Sequence, residues 1–258
     1  MADKAVNVID YPLYVAGKAV KTEQWLEVEH KYTHELYARV ALANEQTIEK
    51  AIQSAAKAEK EMAALEPFQK QKILLHCVKR FNEMRAELTE ILIAEGGKPS
   101  KAAAAEVERL INTFQIAADA VTQLDDGRMI PLAVTAAASG YQGMMKYAPV
   151  GAVSLISPFN FPLNLTAHKI APAIAAGCPF VLKPASLTPI SALKIAEVLA
   201  ETDLPKGAFS ILPCPRGLAD VLVTDDRFKL LSFTGSDVVG WDMKARAGRK
   251  KVILELGG

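Results

Sequence analysis

A chain of 258 residues, half of them hydrophobic, with 30 basic against 29 acidic side chains, is long enough for one large or two small domains with a substantial core. Its formal charge of +1 supplies no field to hold nucleic acid or an anionic membrane, and its 15 Gly and 14 Pro follow no collagen-like period. Three widely spaced cysteines, Cys77, Cys178 and Cys214, make neither a disulfide framework nor a metal knuckle and point to a reducing, cytoplasmic compartment.

The first eight residues carry an early acid and no apolar run, so no secretory signal is expected. The longest apolar stretch, 163–182, is broken by His168, Lys169, Pro172 and Pro179 and does not read as a membrane span. Residues 11–42 alternate apolar and polar in short runs, the pattern of strands joined by turns. From Asn44 to Asp126 the spacing turns helical. Ile48, Ala51, Ile52, Ala55 and Ala58 form one stripe on a helix that Pro67 ends or interrupts. Ile73, Leu74, Cys77, Phe81, Leu88 and Leu92 mark a second, stopped by Gly96-Gly97 and Pro99, and an Ala-rich third runs from about Ser100 to Leu124. None of the three carries convergent chemistry, so they read as a scaffold layer.

Residues 128–148 read as an extended hairpin whose apolar side chains favour self-association. Beyond Pro149, strands over 152–157, 180–183, 209–212, 229–233 and 252–254 alternate with helices over 162–176, 189–202, 219–224 and 236–247. This is the pattern of an α/β fold, a Rossmann-like parallel sheet with helices on both faces. Three segments follow: 1–127 as N-terminal strands and helices, 128–148 as the hairpin, and 149–258 as the Rossmann-like region.

Ligands of such sheets bind at the carboxyl ends of the strands, where the unusual residues fall. In Leu231-Ser232-Phe233-Thr234-Gly235-Ser236, with Gly240 following, Gly235 allows a sharp turn, Ser236 can cap the helix, and the free amides of its first turn suit a phosphate. A plain capped helix after a buried strand carries the same pattern. Lys183 and Ser186 end another strand; the lysine suits ribose hydroxyls or phosphate, or is a surface lysine. In Ser157-Pro158-Phe159-Asn160-Phe161-Pro162 two prolines hold Asn160 on a stiff turn, able to aim its amide at an oxyanion or to satisfy its own backbone. Glu255, in apolar company, is expected to have a raised pKa suited to proton transfer, unless it is a surface charge. His30, His34, His76 and His168 share no ligand spacing, so no metal is expected. Cys77 and Cys178 read as core residues, and Cys214, between two prolines, as more exposed. The basic run from Lys244 to Lys251 reads as a complement to the carboxyl end of the preceding helix, ahead of a nucleic-acid patch.

The succession Pro149-Val150-Gly151, Pro158-Phe159-Asn160-Phe161-Pro162, Lys183-Pro184-Ala185-Ser186, Phe233-Thr234-Gly235-Ser236 and Glu255-Leu256-Gly257-Gly258 resembles the aldehyde dehydrogenase superfamily across nearly the whole chain. The resemblance implies NAD(P)-dependent oxidation of a small aldehyde to its acid. Asn160 would donate to the oxyanion of a thiohemiacetal, and Glu255 would activate water for thioester hydrolysis. Lys183 and Ser186 would face the adenosine ribose, Gly235, Ser236 and Gly240 the pyrophosphate, and Ser157 and Phe159 the cofactor channel. Residues 128–148 would be the oligomerisation hairpin.

Many members that prefer NAD carry Glu where this chain has Ser186, so NADP is expected to bind at least as well as NAD. The family's nucleophilic cysteine follows the Glu-Leu-Gly-Gly motif by some tens of residues; none of the three cysteines matches it, and the ending at Gly258 reads as a cut. Glu255 favours acid formation over coenzyme A acylation, and 240–248 is similar to members acting on lactaldehyde, glyceraldehyde 3-phosphate or phosphonoacetaldehyde. The alternative is a non-catalytic dinucleotide-binding or assembly module. A short-chain dehydrogenase is disfavoured, because Tyr141 and Tyr147 lack a lysine four residues on: positions 145 and 151 are Met and Gly.

Overall fold

The computed structural model describes residues 8–124 and 127–257. Residues 1–7, read above for a signal, Asp126 and Gly258 of the terminal motif lie outside the described residues. The N-terminal strands form as expected but divide between two sheets. β1 (Ile9–Tyr11), β4 (Trp25–Glu29) and β5 (Leu36–Ala41) make a small sheet, and β2 (Leu13–Val15) and β3 (Lys18–Val20) join the main one.

Four helices follow where three are expected. In α1 (Glu45–Ala63) the Asn44 side chain accepts the Thr47 N–H at 2.9 Å, and Ile48, Ala51, Ile52, Ala55, Ala58 and Met62 are buried. Pro67 does not interrupt a helix; it is the first residue of α2 (Pro67–Glu83), where its missing N–H leaves no bond unmade. The expected second helix bends at Met84 (φ −92°, ψ 9°) and resumes as α3 (Arg85–Gly96). Neither Gly nor Pro marks the break; Met84 is buried, and Asn82 Oδ1 accepts from Arg85 Nε at 3.0 Å across it. Gly97 closes α3 in the left-handed region at φ 64°. α4 (Ser100–Leu124) then runs 25 residues.

β6 (Arg128–Pro131) and β7 (Gln142–Met145) pair as an antiparallel hairpin that leaves Met129, Ile130, Met144 and Met145 exposed. The alternating half follows in chain order: β8 (Val153–Ile156), α5 (Asn164–Ala175), β9 (Phe180–Lys183), α6 (Ile190–Ala200), β10 (Phe209–Ile211), α7 (Val221–Thr224), β11 (Leu230–Gly235), α8 (Asp237–Arg246) and β12 (Lys251–Leu256). The main sheet has the order β12-β11-β8-β9-β10-β2-β3. Its first five strands are mutually parallel, and β2 and β3 add an antiparallel edge.

Strand periodicity sorts the two faces. Phe180 and Leu182 of β9 pack with α2 to α6, whereas Val181 packs with Ile48, Ala51, Ile52 and Ala55 of α1. Helices therefore cover both faces. A third cluster joins Ile156, Leu231 and Phe233 to Val239, Met243 and Ala247 beneath α8. Among the described residues no helix is long and apolar enough to cross a membrane.

Candidate dinucleotide and active site

From β8 the chain steps one way to β9 and β10, then returns to place β11 and β12 on the other side of β8. Open α/β sheets bind ligands in a crevice outside the carboxyl ends of the strands at such a switch point, here between β8 and β11. The sequence-selected residues collect along that edge: 157–160 follow β8, Lys183 and Ser186 end and follow β9, Gly235 and Ser236 end and follow β11, and Glu255 lies near the end of β12.

In the turn after β8, Asn160 is exposed and its Oδ1 accepts the Phe161 N–H at 3.0 Å. The acceptor end of the amide is thus occupied by its own turn, leaving Nδ2 with two protons to donate. Ser157 is buried; its N–H donates to the Lys183 carbonyl at 3.2 Å and its Oγ accepts from Thr166 Oγ1 at 3.0 Å. It therefore supports the crevice from beneath, while the Phe159 ring is exposed beside it. Lys183 Nζ donates to the Pro184 carbonyl at 3.1 Å, and burial, with a smaller contribution from the Arg216 charge, pushes its pKa down. Ser186 is exposed.

Gly235 does not serve a left-handed turn: it is the last residue of a regular strand. Its requirement is space, since a Cβ there would stand 2.5 Å from Phe233 Cζ. At Gly240 a Cβ would stand 2.5 Å from Leu256 Cδ2 and 3.3 Å from the Phe233 ring, so the glycine lets α8 approach the sheet closely. Ser236 occupies the N-cap position of α8 but makes no side-chain cap bond; its carbonyl accepts the Gly240 N–H at 3.0 Å. The expected hydroxyl cap is therefore absent, and the hydroxyl and the first-turn amides remain available to an anion.

The apolar company expected for Glu255 is not what the fold builds. The parallel register sets Thr234 opposite Glu255, and Thr234 Oγ1 donates to Glu255 Oε2. The carboxylate is 45% exposed and lies 3.7 Å from the ammonium of Lys169 on α5, which is only 1% exposed. Lys169 Nζ also donates to Ser232 Oγ at 2.9 Å. Burial pushes the Lys169 pKa down to about 8, with Glu255 pulling against it.

An aldehyde dehydrogenase family model matches residues 18–258. This chain belongs to the aldehyde dehydrogenase family. It is 36% identical to 3-sulfolactaldehyde dehydrogenase of Priestia aryabhattai over 252 residues, covering 97% of this chain and 52% of the relative. It is 35% identical to lactaldehyde dehydrogenase of Methanocaldococcus jannaschii over 251 residues, with coverages of 95% and 52%. Aldehyde dehydrogenase 21 of Physcomitrella patens, solved in complex with the reaction product succinate, superposes with a TM-score of 0.96 at 49% identity, covering 98% of this chain and 53% of that one. NADP-dependent glyceraldehyde-3-phosphate dehydrogenase of Bacillus halodurans C-125, solved with NADP, gives 0.92 at 27% identity, with coverages of 97% and 53%. The chain spans about half the length of the curated relatives it matches.

Within this aldehyde dehydrogenase chain all three thiols are buried, Cys214 included, against its expected exposure. Burial pushes each of their pKa values up, and Lys183 only partly offsets this at Cys214. None has the character of an activated nucleophile. Among the described residues no group of three or more His, Cys, Asp or Glu is placed to hold a metal.

Sequence reasoning missed the buried charges that brace the site. Glu106 of α4 receives the amides of Leu163 and Asn164 at 2.9 and 3.2 Å and the Lys98 ammonium at 2.5 Å. Glu95 of α3 receives the amides of Ile190 and Ser191, each at 2.8 Å, and the Ser191 hydroxyl, fixing the start of α6 just beyond Ser186. Burial pushes Glu95 up to about 7 against those bonds. Glu106 had a signal: it shares the stripe of Ala103, Val107 and Leu110, so helical spacing alone turns it inward.

Proposed function

We propose that this chain supplies the dinucleotide site, the oxyanion donor and the general base of an NAD(P)-dependent dehydrogenase that oxidises a small aldehyde to its carboxylic acid. The observation that carries this reading is the meeting of the Asn160 donor, the exposed Glu255 carboxylate and the first turn of α8 along one edge at the β8/β11 switch point.

The residues present fit a dinucleotide. The amides of α8 and the Ser236 hydroxyl suit the pyrophosphate, and Gly235 and Gly240 keep that turn low and close. Lys183 and Ser186 suit the adenosine ribose, and Phe159 borders the channel with the buried Ser157 beneath it. When bound, the dinucleotide accepts the two electrons and the hydrogen that leave the aldehyde carbon. Asn160 Nδ2 donates to the oxygen that gains charge when a thiolate adds to that carbon. Glu255 takes a proton from water as the water attacks the resulting thioester, and Thr234 and Lys169 hold the carboxylate in place. Overall, aldehyde, NAD(P)+ and water give acid, NAD(P)H and a proton.

NADP is accepted at least as well as NAD, because Ser186 offers no carboxylate to repel a 2′-phosphate and Lys183 ends the strand beside it. Lactaldehyde and sulfolactaldehyde, named for the relatives, set the substrate class. The hairpin of β6 and β7, with its exposed methionines, supports a homo-dimer or homo-tetramer, and the free thiols support a cytoplasmic location. A second reading, a dinucleotide-binding and assembly module without turnover, is favoured by the burial of all three thiols.

Protein expressed from its full coding sequence, given NADP+ and lactaldehyde or propionaldehyde, is expected to generate NADPH absorbance. Tight dinucleotide binding without any NADPH would select the second reading.

A further inference from the structure

Building on that reading, we propose that Glu106, acting with Lys98, is the positioning residue that holds the Asn160 turn in its donating geometry. The start of α5 has no cap of its own: Leu163, its N-cap, makes no side-chain bond. The cap comes instead from α4, 57 residues earlier in the chain, where the fully enclosed Glu106 carboxylate takes two first-turn amides on Oε1. Its other oxygen takes the Lys98 ammonium. That ammonium also lies 3.8 Å from the centre of the Phe161 ring, a cation–π contact with the residue following Asn160. Asn164 is held again by Thr113 of α4, whose Oγ1 donates to Asn164 Oδ1 at 3.3 Å.

Residues 163 and 164 are thus held from α4, and the Phe161 ring from Lys98 in the turn that leads into it. The upstream side of the turn is fixed by Ser157, bonded to Lys183 and Thr166. Asn160 lies between these anchors, and among the described residues its side chain makes one hydrogen bond, accepted from the Phe161 amide. If Phe161 tilts, Oδ1 loses its partner and Nδ2 loses its aim. An exposed side chain on a turn would otherwise sample several rotamers, and an ångström of misplacement costs a reacting system heavily. The buried carboxylate therefore acts on the reaction through Asn160.

The test combines turnover with a readout that needs none, in protein expressed from its full coding sequence. Asn160→Ala is expected to lower kcat by about a hundredfold or more, and Glu106→Gln by about tenfold or more with NADP affinity unchanged. In the Asn160→Ala background, Glu106→Gln should change kcat by less than about twofold while lowering Tm as much as it does alone. Lys98→Met should follow Glu106→Gln, and Lys98→Arg should recover most of kcat. A brace serving stability alone would lower kcat by the same factor in both backgrounds, and that result overturns the proposal. Independently, hydrogen exchange at the Phe161 amide should quicken about tenfold or more in Glu106→Gln. Unchanged protection there overturns the positioning role even if Asn160→Ala abolishes turnover. An Asn160→Ala protein with full activity overturns both this role and the oxyanion assignment on which it rests.

Discussion

Replacing Lys169 by Met isolates the cost of a buried ammonium beside the Glu255 carboxylate. In the folded protein Lys169 titrates at about 8, against an ordinary value of 10.5, with burial as the main cause. Between those values the unfolded chain binds the extra proton and the folded one does not, so this group makes stability rise with pH. Its cost is fully present below pH 8 and gone above pH 10.5. At about 1.4 kcal/mol per unit, the swing is about 3 kcal/mol. Methionine fills the space and carries no proton. The wild type should therefore gain about 3 kcal/mol on Lys169→Met between pH 7 and pH 10.5. The groups that titrate in both proteins, including Tyr14, which burial pushes up to about 12, cancel in the difference. Urea unfolding midpoints of the two proteins, measured in parallel across that range, give the quantity directly. A difference that stays constant with pH, or that moves in favour of the variant, refutes the buried-cation account.

Three further outcomes follow. Glu95→Ala leaves the buried Ile190 and Ser191 amides without acceptors and should cost about 3 kcal/mol, lowering Tm by about 6 to 12 °C; calorimetry showing a loss under 1 °C contradicts the bracing role. Glu95 titrates near 7 when folded, above its ordinary 4.5, so its own contribution to stability falls as pH rises from 4.5 to 7. A Glu95→Gln protein should therefore gain on the wild type over that interval, and urea midpoints that run parallel speak against it. Ser186→Glu should weaken NADP binding about tenfold or more, roughly 1.4 kcal/mol, while sparing NAD. Titration calorimetry finding equal losses for both would remove Ser186 from the ribose site, as would a wild type that binds NAD tenfold tighter than NADP.

The βα alternation after Pro149 was legible because each strand there is a short run of apolar residues closed by a turn signal, and the 25-residue α4 because its stripe is unbroken. The strand-end placement of Lys183, Gly235 and Glu255 came with that alternation. The bend at Met84 was not legible, since no Gly or Pro announces it. The lack of room for a Cβ at Gly235 was not legible, because the Phe233 ring that excludes one is visible only once the strand has folded. Glu106, Glu95 and Lys169 were missed because a charge in a single sequence reads as solvated, and the groups they bind on other elements lie 57 to 96 residues away, with Lys98, 8 residues from Glu106, the near exception. Glu255 showed the converse. Its neighbours in sequence are apolar, yet its neighbours in space are Thr234 and Lys169.

The central claim is that Glu255 serves the hydrolytic step at a site where Asn160 has already stabilised addition to the aldehyde. Rapid-mixing absorbance at the NADPH band, comparing wild type with Glu255→Gln in protein expressed from its full coding sequence, tests it most directly. The account predicts a first burst of NADPH retained in the variant, followed by steady turnover reduced about a hundredfold or more. A variant that turns over steadily at the wild-type rate would contradict it.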